Sequence, residues 1–452
     1  MTDPSSTAPS SATQKHPSGP LFFQRRFLPM WTALSLGAFT DNMLKQALTI
    51  ALTYGVLTAP YISNDDALPM VGQLFPIAML LFSTIAGQFA DKHETSMMFR
   101  RTKLVEFLLM GLAGAGFMLN NTMLLVLALF LMGAQSAFFS PVRTGAMPKY
   151  LAADELVRGN ALCSGGLFVS VMLGIFVGGL LITQPNGQII VSLILIVAAL
   201  LGWLAIRGAP PASATAPNLT IDWNMFRQAK TLMGFVINER GVMRPILGVA
   251  LYWTIGALVS VSMPLFVRDT LGADETIVTT LMGLFAIGAA IGAIIASSLS
   301  KGRSGLGFSV AGIAIAAVMT FTVFGLSLGY PKAANGDLIT ASVFFTGWRP
   351  YAISVAFLIS SIAMSVFAVP MQAAVQRRAP AERRARVLAG NNMINAIGAW
   401  IGALLVFSIT RTSIDPVYVF LALGIALSVL AIYMYRRKYT VPEGLYDEML
   451  QK

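Results

Sequence analysis

The sequence predicts an all-α integral membrane protein of twelve transmembrane helices in two pseudo-symmetric six-helix bundles. Three observations predict it: the composition, the recurrence of long apolar runs, and the segregation of basic residues to one side of those runs. Of 452 residues, 56% are hydrophobic and 11% charged, about half the charge of a soluble domain. The mean hydropathy is +0.71. A helix needs about 20 residues to span the hydrocarbon. Backbone groups in lipid must be satisfied within the segment, so long apolar runs are helices here.

Residues 1–26 begin MTDPSSTAPSSATQKHPSGP. They lack the apolar core of a signal peptide and are expected to form a disordered cytoplasmic tail. Apolar runs follow at 27–57, 68–90, 103–120, 122–140, 157–183 and 187–206, and make a first bundle over 27–206. The longest internal polar segment is 207–242. It opens RGAPPASATAPNLT, a linker composition. It continues with Trp223, Phe226, Leu232 and Phe235 at roughly helical spacing among Arg227, Lys230 and Arg240. That pattern predicts a helix lying on the inner membrane surface. Runs at 243–267, 275–300, 305–330, 351–371, 387–410 and 417–435 make a second bundle over 243–436, and 437–452 form a second cytoplasmic tail.

On this map, 26 of the 31 Lys and Arg fall on one side of the membrane. Four fall on the other (Arg268, Lys332, Arg349, Arg411), and Lys45 lies inside a span. The bias predicts cytoplasmic termini and an even number of spans. It also accounts for the net charge of +11 without nucleic acid. The single cysteine, Cys163, excludes an internal disulfide. His16 and His93 are the only histidines and lie in unrelated places, so no metal set is readable. No nucleophile with its base and no cofactor loop is present in the sequence, so neither an enzyme nor a cofactor is expected.

The halves repeat. Span four is followed by AFFSPVRTGAMPKYLAADELVRGNALCS and span ten by VFAVPMQAAVQRRAPAERRARVLAGNNM. Pro141 pairs with Pro370, and Gly159-Asn160 with Gly390-Asn391. Transporters are commonly built this way, with the site between the repeats near the midplane.

The polar residues within the spans are the candidates for function. In LGAFTDNMLKQALTI, residues 36–50, Asp41, Asn42 and Lys45 interrupt an apolar run. Asp41 lies about fourteen residues into that run, roughly 20 Å along a helix, inside a core about 30 Å thick. A charge there costs at least about 2.5–3.5 kcal/mol unless paired or facing water. Lys45 is at i+4, so two readings stand: a self-neutralised pair on one helix, or a polar face lining a pathway. Intramembrane ionisable residues usually mark sites, which favours the pathway. Glu106 is expected near the cytoplasmic start of span three, with Lys103 as a plain neighbour at i−3.

The loop after span two, GQFADKHETSMMFRR, holds Gly87, Asp91, Lys92, Arg100 and Arg101. It resembles the signature of the major facilitator superfamily, with its Gly-Arg-Arg ending degraded. An acid at a helix end can pair with bases in one conformation and release them in another, so these residues are expected to act as a conformational charge lock. GAFTDNMLKQALTIAL, AFFSPVRTGAMPKYL and VRGNAL resemble a bacterial branch of that superfamily, the lysophospholipid transporter family. VPMQAAVQ and AGNNM in the second half fit too.

The resemblance implies a major facilitator fold working by alternating access in the bacterial inner membrane. Lysophospholipid would move from the outer to the inner leaflet without a strict need for an ion gradient. It would be reacylated there by a separate acyltransferase or acyl-carrier synthetase. Asp41 and Asn42 would meet the headgroup, and Arg143 could bind its phosphate. Members of the family carry an Arg in span seven and an acid in span eleven. Those stretches read YWTIGALVSVSMPL and NNMINAIGAW here, so Ser260, Ser262, Asn391, Asn392 and Asn395 stand in. Spans two and eleven, and five and eight, meet at seams in this superfamily. The glycine pairs Gly174/Gly178, Gly288/Gly292 and Gly398/Gly402 either pack helices closely or line those seams for lateral lipid entry. The alternative function is proton-coupled export or import of a small amphipathic compound, with Asp41 as proton carrier.

Overall fold

The computed structural model of the chain describes residues 20–152, 155–299, 306–332, 337–379, 384–412 and 414–437. The expected tails lie largely outside the described residues. Helices α1 (Leu28–Thr53), α2 (Asn64–Lys92), α3 (Thr95–Met118), α4 (Thr122–Tyr150), α5 (Leu156–Leu181) and α6 (Gly187–Ile206) form the first bundle. The linker carries α7 (Met225–Asn238). Helices α8 (Arg240–Leu265), α9 (Glu275–Leu299), α10 (Leu306–Ser327), the single turn α11 (Ala341–Phe344), α12 (Trp348–Arg378), α13 (Arg384–Thr410) and α14 (Tyr418–Arg436) form the second. Among the described residues, ten helices are long and apolar enough to cross a membrane. The other two spanning helices are α1 and α3. These two carry Asp41 with Lys45, and Lys103 with Glu106, inside the bundle.

Three boundaries differ from expectation. Helix α4 continues to Tyr150 and α12 to Arg378, so Pro141 and Arg143 lie within a helix and not in a loop, and Pro370 lies well inside α12. A proline costs a helix one N–H bond and a local clash, which a long packed helix can absorb. Helix α3 begins at Thr95, eight residues before its expected start.

Packing repeats between the bundles. Helix α5 packs on α1 as α13 packs on α8; α4 on α2 as α12 on α9; α6 on α3 as α14 on α10. The halves meet along α2–α13 and α5–α9. The expected seam glycines do not face those joints. A Cβ on Gly174 would lie 2.5 Å from Phe39 O, and one on Gly178 2.5 Å from Met43 O, both in α1. A Cβ on Gly398 would lie 2.6 Å from Ala250 O, and one on Gly402 would strike Thr254 O, both in α8. Gly288 and Gly292 likewise face Leu358 O and Ile362 O of α12. All six let helices of one bundle approach closely. The glycines that face the other half are Gly72, against Val261, Gly179, against Thr279, and Gly283, against Phe176.

We call the end of the bundles near residues 20 and 437 the basic end and the opposite end distal. A set of direct hydrogen bonds joins the bundles in the distal half. Tyr54 Oη donates to Ala273 O at 3.1 Å, and Trp400 Nε1 to Gln73 Oε1 at 3.1 Å. Arg268 donates to Thr53 O at 2.9 Å and to Asp65 Oδ1 at 2.8 Å. Arg411 lies 3.9 Å from Asp66. The bundles are therefore clasped at the distal end. At the basic end the linker straps the first bundle: Ala216 N donates to Asp91 O at 2.8 Å, and Lys149 Nζ to Ser213 O at 2.8 Å. Helix α7 then packs on both α13 and α2.

Candidate functional site

The site residues of α1 point to three different neighbours. Asp41 Oδ2 accepts from Ser136 Oγ of α4 at 3.3 Å, and Oδ1 is buried without a partner. Asn42 Nδ2 donates to Ala38 O of its own helix at 2.8 Å, with its Cβ toward Gly174 of α5. Lys45 Nζ sits 3.4 Å from the centroid of the Phe75 ring on α2. No ion pair joins it to Asp41 among the described residues. The self-neutralised i,i+4 pair is therefore not formed, because the aromatic face takes the ammonium instead.

Behind α1 lies a second charged group. Lys103 and Glu106 of α3 are 0% and 3% exposed and pair at 2.7 Å. This corrects the expected interfacial place of Glu106. With α3 starting at Thr95, Glu106 lies about 17 Å along the helix. Glu106 Oε2 also accepts from Gln135 Nε2 at 3.2 Å, while Oε1 is buried without a partner. Gln135 Oε1 lies 3.5 Å from Ser136 Oγ. A chain of polar contacts thus runs from Lys103 through Glu106, Gln135 and Ser136 to Asp41. Gly37, one turn before Asp41, is where α1 meets Lys103, and a Cβ there would strike Nζ and lie 3.2 Å from Glu106 Oε1.

Arg143 lies seven residues beyond Ser136, about 10 Å along α4 toward the basic end. It is half-buried and has no hydrogen bond or ion pair among the described residues. In the second bundle, Asn391 is buried and donates to Gln372 Oε1 at 3.5 Å. Asn391 Oδ1 and Asn395 Oδ1, one turn apart, are buried without partners. Ser262 is buried, whereas Ser260 and Asn392 are exposed. No hydrogen bond joins Asn391 or Asn395 to the Asp41 group among the described residues.

The expected lock residues engage the strap. Asp91 makes no ion pair among the described residues, and its carbonyl holds Ala216. Arg100 Nη2 donates to Ala209 O at 3.2 Å, while Arg101 is exposed and Gly87 has open space at its Cβ position. Tyr150 Oη donates to Pro210 O at 2.9 Å, and burial pushes this phenol up to about 12. Asp222 joins strap to α7: its backbone pairs with Gln88 of α2 at 2.8 and 3.2 Å, and its Oδ2 accepts from Arg227 at 2.6 Å and Gln228 at 2.7 Å. These bonds hold its carboxyl at about 2.

At the distal end, a pocket of about 450 Å³ is lined by Thr53, Tyr54, Asn64, Asp65 and Arg268, among others. Helix propensity and hydropathy gave no signal for Arg268, which sits on the short π-helical segment after α8. Gln135 and Ser136 gave no signal either, and Glu106 with Lys103 is expected from the sequence at the interface, not in the bundle. The signal available was the depth of Glu106 once the helix start is set at Thr95.

The chain is 25% identical over 424 residues to the lysophospholipid transporter LplT of Escherichia coli O127:H6, covering 89% of this chain and 94% of that one. It is 26% identical over 289 residues to LplT of Salmonella typhimurium strain LT2, covering 61% and 66%. Among solved structures, it resembles a POT family transporter in complex with 5-aminolevulinic acid, with TM-score 0.65, 12% identity and coverage of 91% and 96%. It also resembles a bacterial homologue of the iron transporter ferroportin in an inward-facing state, with TM-score 0.54, 17% identity and coverage of 90% and 98%. At such identities the structures speak for the fold alone. The profile of the Major Facilitator Superfamily matches residues 30–348. By this match, and by twelve spanning helices in two like-packed bundles, the chain belongs to the Major Facilitator Superfamily.

Proposed function

We propose that the chain carries lysophospholipid from the outer to the inner leaflet of the bacterial inner membrane by alternating access. The observation that carries this reading is the complementarity of Asp41 and Arg143. Asp41 keeps one buried oxygen without a donor and accepts from Ser136 of α4, and Arg143, a cation without a partner among the described residues, lies about two helical turns further along α4. That pair fits the ammonium and phosphate of a zwitterionic headgroup. Asn391 and Asn395 offer further acceptor oxygens from the second bundle. The likeness to LplT supports a lipid as the cargo.

The basic end is cytoplasmic by charge bias, so the distal clasp closes the carrier toward the outside. When the halves rock, the clasp opens and Asp91, Lys92, Arg100 and Arg101 become free to lock the basic end. The acyl chain stays in the bilayer and slides past the α2–α13 or α5–α9 joint, where Gly72, Gly179 and Gly283 thin the wall. A separate acyltransferase or acyl-carrier synthetase consumes the delivered lipid.

The test is uptake of labelled lysophosphatidylethanolamine into spheroplasts by wild type, Asp41→Asn and an empty control, each with and without a protonophore. Uptake that requires Asp41 and survives the protonophore is expected. Uptake that stops with the protonophore indicates proton-coupled transport, and absence of uptake by folded wild type removes the lipid.

A further inference from the structure

Transport of a headgroup by Asp41 leaves Lys103 and Glu106 without a task, although burying such a pair is costly. The Lys103 ammonium is 0% exposed and gives one hydrogen bond, to Glu106 at 2.7 Å, lying also 4.5 Å from the Phe139 ring centroid. An ammonium has three donors, so two are unspent on hydrogen bonds here. Two buried carboxylate oxygens, Glu106 Oε1 and Asp41 Oδ1, lack any donor. Between them α1 places Gly37, whose missing side chain is the space the ammonium occupies. Residues 37 and 41 share a helix face, so the ammonium seated at Gly37 lies one helical turn from Asp41 along α1.

We propose that Lys103 is a tethered counter-cation that moves from Glu106 to Asp41 when the headgroup leaves, so that the empty carrier returns without a proton or sodium ion. The surroundings suit the exchange. Gln135 Nε2 stays on Glu106 at 3.2 Å when Lys103 departs. The Ser136 hydroxyl, 3.3 Å from Asp41 and 3.5 Å from Gln135 Oε1, can turn from one acceptor to the other. The charged groups around Gly37 are Asp41 and Lys45 from α1 and Lys103 and Glu106 from α3. Helix α4 presents Gln135, Ser136 and Phe139, and Lys45 is held on Phe75 of α2. Without an internal cation, Asp41 would cross the closed states as a bare carboxylate or would have to take a proton.

The inference rests on Asp41 as the headgroup site, and the experiment separates the two. Full-length protein is reconstituted in liposomes with fluorescent lysophosphatidylethanolamine. Net uptake requires the empty carrier to return; exchange against unlabelled lipid does not. Lys103→Met is expected to lose net uptake about a hundredfold at neutral pH, to regain it on acidification, and to keep exchange within about twofold. Gly37→Ala keeps every charge but fills the seat of the ammonium against α1, and is expected to show the same split. Equal loss of both fluxes, or of neither, overturns the proposal. A hydrophobic carbodiimide, which attacks protonated buried carboxyls, gives an answer that needs no substrate. Asp41 should resist it in wild type and react in Lys103→Met, and identical labelling of the two proteins overturns the proposal. If wild type moves no lipid in either mode, the substrate reading fails and the labelling alone decides the role of Lys103.

Discussion

A disulfide between positions 72 and 261 should stop transport reversibly. A Cβ built on Gly72 of α2 lies 3.8 Å from the Cβ of Val261 of α8, across the joint between the halves. Disulfides want that separation at about 3.5–4.5 Å. The same Cβ lies 2.7 Å from Val261 Cγ2, so Gly72→Cys alone overpacks the joint and should cost about 1–3 kcal/mol. Val261→Cys removes both methyl groups, the clashing Cγ2 among them, so the double variant fits where the single one does not. The one native cysteine, Cys163, is buried in the apolar cluster at the basic end and is first replaced by Ala. Once formed, the bond holds the two Cα atoms within about 7 Å, whereas alternating access must part the distal ends. Uptake of labelled lipid into vesicles, with and without reductant, is the assay, and mass spectrometry gives the crosslinked fraction. Uptake should fall in proportion to the crosslinked fraction and return on reduction. Complete crosslinking with normal uptake would refute the claim that the distal clasp must open.

Arg268→Gln removes a guanidinium that ties Thr53 and Asp65 across the clasp. Charged hydrogen bonds of this kind contribute about 1.5–3 kcal/mol, so a cysteine at position 72 should become at least about tenfold more reactive to a maleimide; unchanged reactivity would mean the clasp is held elsewhere. Gly398→Leu pushes against Ala250 O within its own bundle. It should lower the melting temperature, at a cost of about 1–3 kcal/mol, and reduce uptake only through loss of folded protein; slowed uptake at full stability would restore a role in lipid passage. Asp222→Asn should loosen α7 from the strap, read as faster proteolysis between 212 and 224. Because the folded carboxyl is held at about 2, below its unfolded value of about 3.9, its contribution is complete above the unfolded value and fades as pH falls through the folded one. Strap proteolysis should therefore be flat with pH above about 4 and rise only in stronger acid; a rise near neutrality would point to another group.

The fold was legible because apolar length and basic-residue bias act along the chain, and both survive without knowledge of neighbours. Asp41 was legible for the same reason, as a lone acid in an apolar run. Glu106 was not. It follows HETSMMFRRTKLV, a stretch charged enough to read as loop, yet Thr95 opens a helix there and sinks Glu106 into the bundle. The glycines show the other limit. A four-residue spacing fixes a helix face, but only the fold says which helix that face meets. Gly178 turns to α1, whereas Gly179, one residue on, turns to α9 of the other half. The pairing of Lys45 with Phe75 in place of Asp41 was likewise hidden, since the ring arrives from α2.

The distribution of buried charge argues for a division of labour. The described charges away from the helix ends belong to the first bundle: Asp41 and Lys45 in α1, Lys103 and Glu106 in α3, and Arg143 in α4. The middle of the second bundle offers amides and hydroxyls instead. Two acids and two bases behind the midplane sum to zero, and Arg143 is the one cation left over. An anionic phosphate is what such a bundle lacks at rest. On the proposed reading, when the phosphate binds Arg143 the headgroup ammonium takes the place at Asp41 that Lys103 yields as it returns to Glu106. Binding and the lysine movement are then a single exchange of one ammonium for another at Asp41, and because the headgroup is zwitterionic the net charge of the bundle is the same before and after. A carrier organised in this way needs no ion from either side to complete its cycle.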